Sequence, residues 1–291
     1  MALADLTVSV PVLAKARRKK LNQRKKTIVV FLFACLLLLG ITVGGILAAE
    51  TAVTADLSQK YITPSLQHLF GTDQLGRDML ARVVKGLSTS ILIGLGAASC
   101  SAVLAILLGS AAALLGEKVD AAITWLIDLM LGIPHIVLLI LISYALGKGF
   151  WGVTVGVALT HWPSLSRVIR GEILQLKETQ YVKTARKLGQ SSWRIAVKHM
   201  LPAVFPQFLV GLILLFPHAI LHEAGITFLG FGLPPEQPAI GVILAESMKY
   251  LSVGMWWLAF FPGAALIGVV ALFDLAGGSL RRLIDPHSAQ E

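Results

Sequence analysis

"TIVVFLFACLLLLGITVGGILAA", residues 27–49, contains no charged side chain and follows a basic leader ending "RRKKLNQRKK" at 17–26. One helix crosses a bilayer core with about 20 apolar residues, so this run is long enough to span. Five more runs qualify, at 89–115, 121–146, 150–170, 204–228 and 254–277. The chain of 291 residues is 56% hydrophobic and 14% charged, with a mean hydropathy of +0.77. Soluble domains keep roughly a quarter of their residues charged. The sequence therefore predicts an all-α membrane protein with six transmembrane helices in one polytopic domain. For the first run a cleaved signal peptide is the competing reading, because "LAAE" closes it. The run exceeds a signal core of about 7–15 residues, which favours an uncleaved anchor.

The net charge of +9 raises the question of nucleic acid, and its distribution answers it. Of 25 Lys and Arg, 19 fall in the 1–26 leader, the 116–120 turn, the 166–203 loop and the C-terminal tail. The remaining 6 are Lys60, Arg77, Arg82, Lys85, Lys148 and Lys249. Positive residues stay on the cytoplasmic side, so both termini and the 166–203 loop are expected there. The charge is topogenic and requires no nucleic acid. Cys35 and Cys100 both lie in apolar runs and supply neither a disulfide framework nor a thiolate metal site. The expected division is a leader (1–26), an anchor (27–49), an outer loop with an interfacial helix (50–88), a core (89–280) and a tail (281–291).

The largest loop on the basic side contains "YVKTARKLGQSSWRIAVKHMLP" at 181–202. Its first part is rich in helix formers, and Gly189 stops it as a C-cap glycine does. Ser191 or Ser192 can cap a second helix, which Pro202 is expected to limit. Tyr181, Thr184, Ala185 and Leu188 share one face of the first helix. The small pair Thr184-Ala185 lets a partner surface approach closely.

On the outer side, "GTDQLGRDMLARVVKG" (71–86) reads as a helix capped by Thr72 or Asp73. Its apolar positions are Leu75, Met79, Val83 and Leu80, Val84, Leu87. "HEAGITFLGFGLPPEQPAIG" (222–241) closes the fifth run with tight glycine and proline turns.

Together these stretches resemble the permease subunits of bacterial ABC importers of the dipeptide, oligopeptide and nickel family. The EAA loop of that family shows a small-residue pair, a glycine four residues on, and a later Leu-Pro, here Thr184-Ala185, Gly189 and Leu201-Pro202. Lys183 stands at the family's glutamate and Thr184 at its first alanine. The GTDxxGRD string, the "EAxxSFLGLG" stretch (with Thr227 for serine) and "LRRLIDP" (280–286) are further marks of the peptide and nickel branch. The resemblance implies a type I importer permease fold whose loop 173–203 carries a cytoplasmic coupling helix. Residues Tyr181, Thr184, Ala185, Leu188, Gly189, Leu201 and Pro202 would serve that coupling. It also implies a homologous second permease, two cytoplasmic ATPase subunits, an extracytoplasmic binding protein and a multi-pass place in a prokaryotic inner membrane. No GxxxxGK[ST] phosphate loop occurs in the chain, so the partners hydrolyse ATP. The permease is expected to be no enzyme and to hold no cofactor.

Ionisable groups inside spans are expensive and mark functional positions. Here they are Asp128, His135, His161, His218, His222, Glu223 and Asp274. His218 and His222 lie four apart on one helix face with Glu223 beside them, and imidazoles suit nickel and similar ions. "HAILHEAG" and "THW" (160–162) resemble the wording of nickel-importer permeases. The sequence therefore favours nickel, free or chelated, as cargo, with His218, His222, Glu223 and His161 as transient contacts. Short peptides are the alternative cargo. An intramembrane metalloenzyme built on the same residues is the alternative from another class, disfavoured because no HExxH occurs.

Overall fold

The computed structural model describes residues 13–284, with side chains described from Arg24 onward. The leader residues 1–12 and tail residues 285–291, including Asp285 and Pro286 of the C-terminal string, lie outside the described residues. Among the described residues ten α-helices follow one another: α1 (Leu13–Leu47), α2 (Met79–Leu114), α3 (Glu117–Gly132), α4 (His135–Ala145), α5 (Phe150–Lys177), α6 (Gln180–Lys187), α7 (Ser192–Ile195), α8 (Leu201–Phe228), α9 (Ile240–Leu251) and α10 (Trp257–Ile284). A π-helical turn at Ala196–Met200 joins α7 to α8. No strand occurs among the described residues, only one isolated bridge between Thr72 and Asp78.

Helix α2 organises the bundle. Its 36 residues extend about 54 Å at the usual rise, and its small residues Ala97, Ala98, Ser101, Ala102 and Ala105 are buried. Small side chains let helices approach closely where lipid supplies no hydrophobic drive between them. Three apolar clusters form along its length. Near its start, Met79, Val83, Leu87 and Ile91 pack with Ile220 of α8, Ile243 of α9 and Leu258 of α10. Midway, Ile93 and Ala97 meet Leu139, Val153 and Ala219. At its far end, Ala105 and Ala113 pack with Ile173, Val182, Ala185, Ile195 and Met200. The loop before α2 and the α6–α7 elbow therefore occupy opposite ends. Helix α1 joins the first cluster through Leu38 and packs against α2 and α10, with Leu32, Phe33, Leu36 and Leu39 exposed as a lipid-facing side requires.

Among the described residues, four helical stretches are long and apolar enough to cross a membrane: Arg24–Leu47, Met79–Leu114, Ser192–Phe228 and Trp257–Ile284. The third run is not the single helix expected at 121–146. It breaks between Gly132 and His135 and turns by 97°. Pro134 is the cause: it forces Ile133 into extended backbone (ψ 135°) and itself becomes the N-cap of α4. Counted as one broken span, the pair makes five. Helix α5 is 28 residues long but carries Arg167, Arg170 and Glu172. One side of it packs on the bundle, with Val153, Val157, Trp162 and Ile169 buried, while Trp151, Val155 and Leu159 form an exposed apolar stripe on the other. Asp120 at the start of α3 pairs with Arg170, and Asp128 with Arg167, which neutralises charges on both helices.

The 71–86 stretch also corrects the expectation. Residues 71–78 form a loop rather than an interfacial helix, and Met79 opens α2 directly. Asp78 is the N-cap, accepting from Ala81 N at 2.9 Å and pairing with His68 at 2.9 Å. Asp73 is 1% exposed and ties the loop together. Its Oδ1 accepts from Leu75 N and Arg77 N, and its Oδ2 from Arg77 Nε and Arg82 Nη1 at 2.6 and 2.5 Å. Arg82, 2% exposed, also donates to Glu246 of α9 at 2.9 Å. Thr72 bridges backward, donating to Gln59 O and accepting from Ile62 N. Gly76 turns at φ +73°, and a Cβ there would sit 1.7 Å from Asp56 O. Gly76→Ala is expected to displace the 56–59 turn and lower the yield of folded protein, measured as monodisperse material after detergent extraction.

Candidate functional site

Two arrangements stand out, one at the α6–α7 end and one inside the bundle. At the end, α6 stops through paired bonds: Gly189 N donates to Arg186 O at 3.0 Å and Gln190 N to Ala185 O at 3.1 Å. This is a Schellman closure, with Gly189 at φ +80°. Ser191 then caps α7 by accepting from Arg194 N at 3.3 Å. Contrary to the sequence expectation, Pro202 does not limit that second helix. The helix continues through the π turn, where Leu201 N donates to Ala196 O, five residues back. Proline has no N–H for a regular bond at position 202, and the wider turn absorbs the mismatch before α8 proceeds. Leu201 and Pro202 line an apolar groove of about 790 Å³ together with Leu107 of α2, Trp193, Val197 and Phe205.

The faces of α6 also differ from the sequence expectation. Val182 and Ala185 are buried against the protein's own core, whereas Tyr181 (46%), Thr184 and Leu188 (76%) are exposed. Ala185 thus seats the helix, and the outward surface is Tyr181, Thr184 and Leu188. Trp193 beyond the elbow is 74% exposed. Lys183, Arg186, Lys187, Arg194 and Lys198 surround these residues and are exposed. Lys183, at the family's glutamate position, pairs with Glu178 at 2.9 Å and holds that carboxyl below the usual carboxylate range.

Inside the bundle, His135, His161 and His222 come from α4, α5 and α8. Their rings meet pairwise with centroids 4.6, 4.5 and 5.0 Å apart. One nitrogen from each lies within 4.8 Å of the others. Two of the sequence-named residues, His161 and His222, are thus brought together. His218 is exposed, its Nδ1 against Leu214 O at 2.9 Å, and does not join them. Glu223 is fully buried, and its Oε1 accepts from Thr227 at 3.0 Å. Thr227 also accepts from Leu233 N at 3.3 Å, so this pair anchors the loop after α8. His135 was named only as an isolated intramembrane group. Its position at the Pro134 break is the sequence feature that brings it inward.

Residues 105–290 match the family model of the binding-protein-dependent transport system inner membrane component. The chain belongs to this family. A putative peptide transport system permease protein of Brucella abortus biovar 1 (strain 9-941) is 39% identical over 232 residues, covering 80% of this chain and 78% of the relative. The probable D,D-dipeptide transport system permease protein DdpC of Escherichia coli (strain K12) is 34% identical, covering 83% and 81%. The dipeptide transport system permease protein DppC of Bacillus subtilis (strain 168) is 29% identical, covering 94% and 83%. Among solved structures, a chain of the MetNI methionine ABC transporter, inward facing, matches with a TM-score of 0.60 and 18% identity, covering 71% of this chain and 98% of that one. At that identity the likeness establishes the fold. This chain is therefore an inner-membrane, multi-pass transport component of an ABC importer rather than an enzyme.

Proposed function

We propose that this permease forms half of a translocation pathway for short peptides, driven by ATP hydrolysed on two partner ATPase subunits. A homologous second permease supplies the other half, and an extracytoplasmic binding protein delivers the cargo. The relatives above are named for peptides and dipeptides, which favours that cargo over the nickel that the histidine spacing suggested. Six passes fit the element order: α1, α2, the broken α3–α4 pair, α5, α8 and α10, with both termini cytoplasmic. Helix α5 then crosses with one side packed on its neighbours and Trp151, Val155 and Leu159 turned outward.

The observation that carries this reading is the α6–Gly189–α7 elbow. It is seated on the bundle by Val182 and Ala185 and turns Tyr181, Leu188 and Trp193 outward. Exposed large apolar groups on a rigid elbow suit an ATPase groove, and the surrounding cations suit an acidic rim. ATP would close the ATPase dimer, move the elbows and open the spans outward to receive cargo.

The test is peptide uptake into proteoliposomes containing both permeases, the ATPases and the binding protein. Leu188→Glu with Trp193→Glu should leave the permease folded yet prevent co-purification of the ATPase and abolish uptake. Retained ATPase binding would overturn the docking assignment. For topology, single cysteines at Gln190 and Gln237, in a background lacking Cys35 and Cys100, should label from opposite sides of the membrane. Labelling of both from one side would remove the six-pass arrangement.

A further inference from the structure

We infer that His135, His161 and His222 form a binding site for a borderline divalent metal ion of the nickel, cobalt and zinc class, inside the helix bundle. The argument begins with the tautomer of His161. Its Nδ1 lies 2.9 Å from Val157 O, and a carbonyl oxygen only accepts, so that nitrogen carries the hydrogen. Nε2 is then left with its lone pair in a residue 8% exposed. Neither it nor the buried Nε2 of His135 has a hydrogen-bond partner among the described residues. A buried polar atom left unpaired is costly. Fixing one nitrogen by a backbone carbonyl is also how metal-ligating histidines are oriented, with the other nitrogen presented to the ion.

The arrangement fits ligation better than simple packing. Three nitrogens from three helices converge within 4.8 Å. A tetrahedral ion about 2.0–2.1 Å from each nitrogen holds them roughly 3.3 Å apart, so binding would draw the three nitrogens closer together. Imidazole is the donor preferred by nickel, zinc and copper. No thiolate or carboxylate belongs to the cluster: Glu223, beside His222, has its Oε1 bonded to Thr227 instead. Three neutral ligands leave the ion's charge uncompensated and a fourth position open, which favours an exchangeable anion such as a carboxylate. His135 is the first residue of α4 at the 97° bend, so ligation would link the broken pair to α5 and α8.

This site stands apart from the cargo assigned above, and it is tested without reference to it. The full permease, purified with its partner subunits and stripped with a chelator, is titrated with Co2+, whose visible absorption reports nitrogen ligation. One ion per permease chain should saturate the signal. H135Q, H161Q and H222Q should each weaken it by at least ~10-fold, the loss seen for removing even an outer-shell partner. H218Q should bind as the unaltered protein does. The triple variant H135Q/H161Q/H222Q serves as the blank for the partner subunits. Should H161Q fail to assemble, H135Q and H222Q, both only partly buried, decide the matter. The inference is overturned if the triple variant binds Co2+ like the unaltered protein, or if no saturable signal appears. Radioactive nickel in proteoliposomes then separates two uses of the same site. Counts in the lumen mark an ion that travels with the cargo, and counts retained in the membrane mark a resident one; both should vanish in the triple variant.

Discussion

Asp73→Ala should destabilise this permease by ~3–5 kcal/mol, the cost of removing one partner from a buried ion pair. The alanine deletes four accepted hydrogen bonds at once, two from the backbone of the 73–77 turn and two from arginines. The larger consequence falls on Arg82. At 2% exposure its guanidinium cannot recover water, and Glu246 alone remains to face it. Asp73→Asn, which keeps the shape and the backbone acceptor, should cost less. The double variant Asp73→Leu with Arg82→Met removes both charges and should recover much of the loss, because a buried pair often gains little over well-packed apolar groups. Thermal unfolding in detergent measures all three. An Asp73→Ala protein as stable as the unaltered one would mean that the network does not hold the outer loop to α2 and α9.

That network shows where a linear reading succeeds. The string GTDQLGRD was legible as a feature because its residue types are unusual in an apolar chain. Its geometry was not, because Asp73 and Asp78 are equally good caps by type. Only the return of Arg82 toward Asp73 assigns the first to the ion network and leaves the second as cap. The apolar runs located the helices well, since length and hydropathy need no tertiary information. They missed the break at Ile133-Pro134, because hydropathy records composition and is blind to direction. Pro202 misled in the opposite sense: its missing N–H was accommodated by one π turn rather than by ending the helix.

The histidine cluster was half legible. His218 and His222 share a helix face by spacing alone, yet a helix face has several neighbours. Which of the two histidines meets His161 depends on how α8 packs on α5. His135 reaches the group only through the bend at Pro134, a three-body arrangement that no local spacing encodes. The same limit applies to Ala185. Spacing alone grouped it with Tyr181 and Leu188, but Ala185 is covered by the protein's own core while those two are exposed.

Gly189→Val should cut transport by at least ~10-fold while leaving insertion and expression intact. Gly189 sits at φ +80°, and an ordinary L residue held in left-handed backbone costs ~1–2 kcal/mol, with β-branched residues worst of all. Space is not the obstacle, since a Cβ at this position meets nothing within 4 Å. The whole effect therefore runs through the backbone, and a graded series isolates it. Asn, which tolerates this conformation, should transport nearly as glycine does; Ala should be intermediate; Val should lose at least ~10-fold, since 1.4 kcal/mol is a factor of ten in population. The strain relaxes by opening the Schellman closure, which releases the bonds from Gly189 N and Gln190 N and re-aims Trp193 relative to Leu188. The elbow then no longer presents both groups in one geometry. Ala185→Trp should reach the same loss by another route, lifting α6 off Val182 and the surrounding core, and it should also lower thermal stability where Gly189→Val scarcely does. Uptake, ATPase co-purification and thermal midpoint measured on the four variants distinguish the two routes. Full transport by Gly189→Val, or equal failure of Gly189→Asn, would show that the left-handed turn at the elbow has no part in coupling.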